Sequence, residues 1–121
     1  MLRTMCRVKI HRAQVNECDL HYVGSMTIPA DLMRELDILE GEQVDVVNVQ
    51  TGARWTTYAI AGKRKNHYTL NGAAARLGQP GDLLIIMIYA QMDEAEARKH
   101  RPRVAHIGAG NQVERIETLG D

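Results

Sequence analysis

Residues 43–60 are QVDVVNVQTGARWTTYAI, a sequence that predicts two strands joined by a tight turn. Apolar and polar side chains alternate in residues 43–49, which is the period-2 pattern of a strand with one buried face. Gln50-Thr51-Gly52-Ala53 then closes a turn into a second strand at residues 54–60. We therefore expect a β-hairpin here and look for the strands that pair with it.

The rest of the chain contains several short strand patterns. Residues 7–15 alternate in the same way, which puts Lys9 and His11 on one strand face. Residues 83–88, LLIIMI, are apolar without alternation, so we expect a core strand that is covered on both faces. Further strands are expected at residues 20–23, 26–28, 67–70 and 103–107.

Helices are expected to be few and short. Residues 30–36 follow Pro29, a residue that suits the first position of a helix. Residues 93–100 begin with acidic and end with basic side chains, which complements the helix dipole. Residues 71–76 begin with Asn-Gly and suit a turn or a helix entry, and residues 16–19 are turn-like.

These elements favour a single domain over residues 1–121 with a mainly β fold. Six or more short strands with two or three short helices are typical of a small β-barrel rather than of a β-α-β sheet. The segment after Gly108 is polar, and we expect residues 108–121 to form a frayed tail.

Composition restricts the classes of partner. Lys plus Arg and Asp plus Glu number 15 each, so the net charge is zero and no global field attracts nucleic acid or an anionic membrane. The two cysteines, Cys6 and Cys18, lack a metal-ligand spacing, and we expect reduced thiols and no metal. No apolar run approaches the roughly 18 residues of a membrane span. We expect a soluble, cytoplasmic protein.

Few residues of the sequence indicate a catalytic or ligand-binding function. The sequence has no Walker loop, no dinucleotide-binding glycine motif and no zinc-protease motif. What remains is a serine in the pair Gly24-Ser25, the cations Lys9 and His11, and a strand with Arg54, Thr56 and Tyr58 on one face and Thr57 on the other. Each of these features alone is ordinary, because Gly-Ser pairs are common in turns and strand cations commonly serve solubility.

Five motifs taken in order and spacing are more specific. They are KIHRA at residues 9–13, YVGSMTI at 22–28, GAR at 52–54 with TY at 57–58, NGAAA at 71–75 and PGDL at 80–83. Together they resemble the pyruvoyl-dependent aspartate 1-decarboxylases, from about Met1 to Pro102. The resemblance implies a double-psi β-barrel and a homotetramer with active sites between subunits.

The resemblance also implies a proenzyme that cuts its own chain between Gly24 and Ser25 into residues 1–24 and 25–121. Ser25 becomes a pyruvoyl group, which serves as cofactor in place of a metal or pyridoxal phosphate. Its ketone forms an imine with L-aspartate and accepts electrons as CO2 leaves, and the β-alanine product feeds pantothenate and coenzyme A synthesis. Members of the family differ on whether cleavage needs a maturation factor, and the sequence leaves this open.

Residue roles follow from the resemblance as well. Thr57 is expected to stabilise the oxyanion during cleavage, and Tyr58 is expected to return a proton to the carbanion. Because converting an amide to an ester is uphill, we also expect the backbone at Gly24 to be strained. The residues implied in substrate binding are Arg54, Lys9, His11, Asn71, Gly72, Ala73 and Ala74.

Two alternatives stay open at this stage. Residues 27–44 also resemble the swapped-hairpin DNA-binding domains of bacterial transition-state regulators and antitoxins, although this segment is acidic and phosphate binding needs a basic face. The other alternative is a non-catalytic barrel with the same turns. Such a barrel would be expected to lose Lys9, Ser25, Arg54 and Tyr58, all of which are present.

Overall fold

Nine strands and two short α-helices follow one another in the computed structural model, which describes residues 1–120. The strands are β1 (Leu2–Gln14), β2 (Glu17–Asp19), β3 (Ser25–Pro29), β4 (Gln43–Asn48), β5 (Arg54–Gly62), β6 (Thr69–Asn71), β7 (Leu83–Asp93), β8 (Arg103–Ile107) and β9 (Val113–Thr118). The α-helices are α1 (Ala30–Glu35) and α2 (Glu94–Lys99), and 3-10 turns cover Gly72–Arg76 and Ala109–Asn111.

The strands form one sheet with the order β2-β6-β3-β5-β4-β7-β1-β8-β9. The ladder is not closed, yet β2 at its edge follows β1 after only Val15 and Asn16. The amide of Val15 donates to the carbonyl of Asp82 at 2.8 Å, and the amide of Asn16 donates to that of Tyr68 at 3.0 Å. The sheet therefore curls until its edge returns to β1. The mainly β prediction is confirmed, and the curled sheet is consistent with a small barrel.

The core lies inside this curl. Ile10 of β1, Ile86 of β7 and Val46 of β4 are direct neighbours across the sheet, and each is 0% exposed. Fully burying such an aliphatic side chain contributes roughly 1.5–3 kcal/mol. The opposite face of β7 differs from the prediction, because Ile85 and Met87 are only half-buried in the single chain.

The hairpin and both α-helices match their predictions. β4 and β5 pair antiparallel with Val46 opposite Trp55, and Gly52 in the connecting turn has a φ of +76°, which glycine adopts without strain. The side chain of Asp93 caps α2 by accepting a hydrogen bond of 2.8 Å from the amide of Glu96.

Two predictions around β2 are wrong. Residues 17–19, expected to be a turn, form β2, whereas residues 20–23, expected to be a strand, form the turn. The reason is tertiary: β2 pairs in parallel with β6, a strand far along the chain, with Glu17 opposite Thr69. β6 itself begins two residues later than expected, at Thr69.

The expectation of a frayed tail is also wrong for the part of residues 108–121 that the structure describes. β9 pairs antiparallel with β8, with Ile116 opposite Ala105. Asn111 is 2% exposed, and its side chain accepts from the amide of Gln14 at 2.8 Å and donates to the carbonyl of Gln14 at 2.9 Å. Polar side chains here make hydrogen bonds to the barrel, which their composition alone did not indicate. Within residues 1–120, none of the helices has the length and apolar character needed to cross a bilayer.

Candidate active site

Ser25 is a buried serine held by an amide. It begins β3, is 1% exposed, and lies opposite Asn71 in the pairing of β3 with β6. The Nδ2 of Asn71 donates to the Oγ of Ser25 at 3.0 Å and to the Oγ1 of Thr27 at 2.8 Å. The Oγ of Ser25 in turn donates to the carbonyl oxygen of Val23 at 3.3 Å. The hydroxyl is therefore fixed in orientation next to the preceding peptide.

Gly24, immediately before this serine, is exposed and unstrained in φ. Its φ lies outside the left-handed region, and a Cβ added to it would meet only the carbonyl oxygen of Asn71, at 3.9 Å. The expected strain at Gly24 is therefore not present as a left-handed backbone. The left-handed glycine of this region is Gly72, with a φ of +71°.

β5 presents the predicted arginine and tyrosine on its outer face. Arg54, Thr56 and Tyr58 are exposed, whereas Thr57 points to the other side and is half-buried. β5 runs parallel to β3 with Ala59 opposite Met26. Continuing this register by one residue brings Tyr58 level with Ser25. The structure therefore brings the predicted proton donor and the predicted nucleophile onto neighbouring strands.

The guanidinium of Arg54 has no carboxylate partner within 4.0 Å among residues 1–120. It lines a cavity of about 230 Å³ together with Trp55, Thr56 and Asp45. The carboxylate of Asp45 is occupied, because the Oγ1 of Thr56 donates to it at 2.6 Å. Arg54 is thus available to an anionic ligand.

Lys9 and His11 lie elsewhere on the sheet. The register runs from His11 through Ile85 and Val47 to Arg54, so three strand spacings separate His11 from the arginine. At about 4.8 Å per spacing this is roughly 14 Å along the sheet. A single chain does not bring the cations of β1 next to the arginine of β5.

His11 has neighbours that the sequence did not indicate. Its ring lies edge-on to that of His106 with 5.8 Å between centroids, and the Nε2 of His106 is 2.8 Å from the Oε1 of Glu117. Partial burial lowers the pKa of His11, and the nearby charges of Lys9, His106 and Arg12 lower it further. These contacts arise from pairing of β1 with β8 and of β8 with β9, which no local pattern encodes.

Other parts of the described chain show fewer features of a functional site. A second cavity, of about 310 Å³, is bounded by α1, β9 and Tyr68, and it contains none of the predicted site residues. In residues 1–120 no group of three or more histidine, cysteine, aspartate or glutamate side chains is arranged to hold a metal ion. Ala73 and Ala74 follow Gly72 in the 3-10 turn after β6, and Gly72 itself lies against the backbone of Gly24.

The fold and the site define a small, mainly β protein in which a fixed serine lies level with Tyr58. On the same strand as this tyrosine, four residues away, Arg54 has no carboxylate partner within residues 1–120. The family model for aspartate decarboxylase matches residues 1–114 of the 121-residue chain. The chain belongs to this family, as the sequence motifs predicted. The family's reaction is the decarboxylation of aspartate, and this favours a decarboxylase over the DNA-binding and non-catalytic alternatives.

Proposed function

We propose that the chain is a proenzyme that cuts its own Gly24–Ser25 bond and then decarboxylates L-aspartate at the α-carboxylate, giving β-alanine and CO2 for pantothenate and coenzyme A synthesis. The observation that carries this proposal is the hydroxyl of Ser25, buried and held between the amide of Asn71 and the carbonyl of Val23.

Cleavage begins when the Oγ of Ser25 attacks the carbonyl carbon of Gly24. The C–N bond breaks, the nitrogen of Ser25 takes up the proton that the hydroxyl loses, and an ester links the two residues. Loss of the Ser25 Cα proton then breaks the Cβ–Oγ bond, which releases the Gly24 carboxylate and leaves a dehydroalanine. Water hydrolyses its imine tautomer to a pyruvoyl group and releases ammonia.

Thr57 is the proposed oxyanion donor in this step. Continuing the β3–β5 register by two residues from Met26 and Ala59 brings Thr57 level with Gly24. A hydroxyl donor at this position would stabilise the negative charge that develops on the carbonyl oxygen of Gly24.

The site fits a pyruvoyl group because Ser25, its source, is buried and lies level with Tyr58. That group supplies an electron sink for the electrons that remain when CO2 leaves. Arg54 binds a substrate carboxylate, and charge-assisted hydrogen bonds of this kind contribute roughly 1.5–3 kcal/mol each. Tyr58 donates a proton to the α-carbon, while Asn71 and the segment Gly72–Ala74 line the pocket.

Active sites between subunits of a homotetramer are part of this proposal, and the separation of the cations within one chain supports sites that two subunits share. Lys9 and His11 can assist Arg54 only if β1 of another copy approaches β5, because within one chain three strand spacings intervene. The half-buried side chains of Ile85 and Met87 lie between the two groups and would be covered by such a contact.

Denaturing mass spectrometry of the purified chain tests the proposal. We expect fragments 1–24 and 25–121, the second without a free amine at its start, and we expect Ser25→Ala to stay intact. Incubation with and without a cell extract then shows whether a maturation factor accelerates the cut. A wild-type chain that stays intact under both conditions would contradict self-cleavage.

A further inference from the structure

The Cα of Gly72, which carries no side chain, packs against Gly24, whose peptide bond to Ser25 is the proposed cleavage site. A Cβ added to Gly72 would lie 2.6 Å from the Cα of Gly24, 2.9 Å from its nitrogen and 3.1 Å from the carbonyl oxygen of Tyr22. All three atoms belong to the backbone, so no flexible side chain could move away. Gly72 is also buried and has a φ of +71°, in the left-handed region that favours glycine.

The neighbouring strands cannot absorb a displacement easily. Ser25 is paired with Asn71 in the β3–β6 ladder, and the side chain of Asn71 joins Ser25 to Thr27. β3 is also paired with β5 on its other side. Gly24, by contrast, lies just outside the ladder, is exposed, and has space where its own Cβ would be. A methyl group on Gly72 would therefore displace Gly24 and leave Ser25 in place.

We propose that Gly72 is a positioning residue for self-cleavage, because its hydrogen in place of a side chain lets Gly24 lie where the Oγ of Ser25 can reach its carbonyl carbon. Cleavage would thus require a glycine at position 72, which lies behind the peptide, as well as at position 24, in the peptide itself. This inference rests on the proposed self-cleavage and assigns Gly72 a role before any substrate binds.

Gly72→Ala is the direct test. A misplacement of about 1 Å between reacting atoms can cost roughly 100-fold in rate, and we expect a loss of this size in the first-order rate of cleavage. Gly41→Ala is the matched control, because Gly41 has a φ of +85° with no atom within 4 Å of an added Cβ. The control places an alanine at a similar positive φ without the contact, and we expect its cleavage rate to stay within about threefold of wild type.

The experiment follows newly made precursor from cell-free synthesis at a fixed temperature, with the 1–24 fragment quantified by denaturing mass spectrometry. Hydroxylamine is added to parallel samples, because it attacks the ester, frees the Ser25 hydroxyl and leaves a hydroxamate on Gly24. The yield of the 1–24 fragment that carries the hydroxamate on Gly24 reports ester formation, which a purely structural role of Gly72 would not change in folded protein. Hydroxamate formed at the Asn71–Gly72 bond lies on other fragments and is not counted. Circular dichroism of Ser25→Ala with and without Gly72→Ala measures folding where neither chain can cut.

The outcomes separate the inference from the proposed function. Slow cleavage and a low hydroxamate yield in Gly72→Ala, with a folded double variant, would support the positioning role. Cleavage of Gly72→Ala at the rate of Gly41→Ala, an unchanged hydroxamate yield, or a double variant that does not fold would overturn it. A wild-type chain that forms neither fragment nor hydroxamate would instead overturn self-cleavage, and the inference with it.

Discussion

The two halves of the candidate site are built differently. Ser25 and Asn71 are buried and joined by a hydrogen bond, and the side chain of Asn71 links β6 to β3. Around Arg54 and Tyr58 the groups are exposed, and the cations of β1 lie three strand spacings away. The hydrogen bonds of the first arrangement form within one chain, whereas the predicted cations of the second lie apart within one chain. Under the proposed function, cutting the chain would therefore need one subunit and binding aspartate would need two.

Among substitutions that should affect decarboxylation and not cleavage, Tyr58→Phe should have the largest effect. Tyr58 is 37% exposed, and the hydroxyl of Ser25 makes its hydrogen bonds with Asn71 and Val23, so removal of the Tyr58 hydroxyl should leave cleavage intact. General acid catalysis typically contributes 10²–10⁴-fold, and we expect a loss of about this size in kcat for decarboxylation. Measuring CO2 release together with the extent of cleavage checks both expectations. Normal CO2 release would show that Tyr58 is not the proton donor. Failed cleavage would show that the Ser25 half and the Arg54 half of the site do not act separately.

Arg54→Ala should act on substrate binding. Losing a charge-assisted contact worth roughly 1.5–3 kcal/mol should lower kcat/KM for aspartate by about 10–100-fold, again with intact cleavage. Arg64→Ala is the matched control, because Arg64 is an exposed arginine in the turn at residues 63–66, which follows β5. Steady-state kinetics of both variants test whether Arg54 binds the substrate. Equal kinetic constants for the two would show that the arginine of β5 does not bind substrate.

Mixing two impaired variants tests the need for a second subunit. If Lys9 of one chain serves Arg54 of another, Lys9→Ala and Arg54→Ala subunits dissociated and reassembled together should form some sites with both native residues. We expect activity above that of either variant reassembled alone. Mixed particles, verified by native mass spectrometry, with no gain in CO2 release would contradict active sites shared between subunits.

Local pattern predicted much of the fold because the β4–β5 hairpin and the α2 cap are determined by neighbouring residues. It failed at β2 and β9, where the partners, β6 and β8, are chosen by tertiary pairing. The candidate site shows the same limit. Alternation predicted the opposite orientations of Tyr58 and Thr57, but no spacing indicated that Gly72 contacts Gly24 or that His106 contacts His11.

The smallest expected effect concerns His11 and pH. Burial and the charges of Lys9, His106 and Arg12 lower its pKa below the ordinary 6.5, so the unfolded chain binds the proton more readily than the folded one. Stability present above pH 6.5 should therefore decline as pH falls through the pKa of the folded state. His11→Gln removes this contribution, and its denaturant midpoint should fall less than that of wild type between pH 7 and pH 5.

His21→Gln is the control for this measurement, because His21 is exposed in the turn after β2. A change in pH dependence equal to that of His11→Gln would show that the histidine cluster on β1 and β8 has no special role. A difference confined to His11 would instead show that burial and repulsion from the neighbouring cations disfavour the charged form of His11 in the folded chain. Such repulsion would be relieved by a bound dicarboxylate, so aspartate should raise the denaturant midpoint of wild type more than that of His11→Gln.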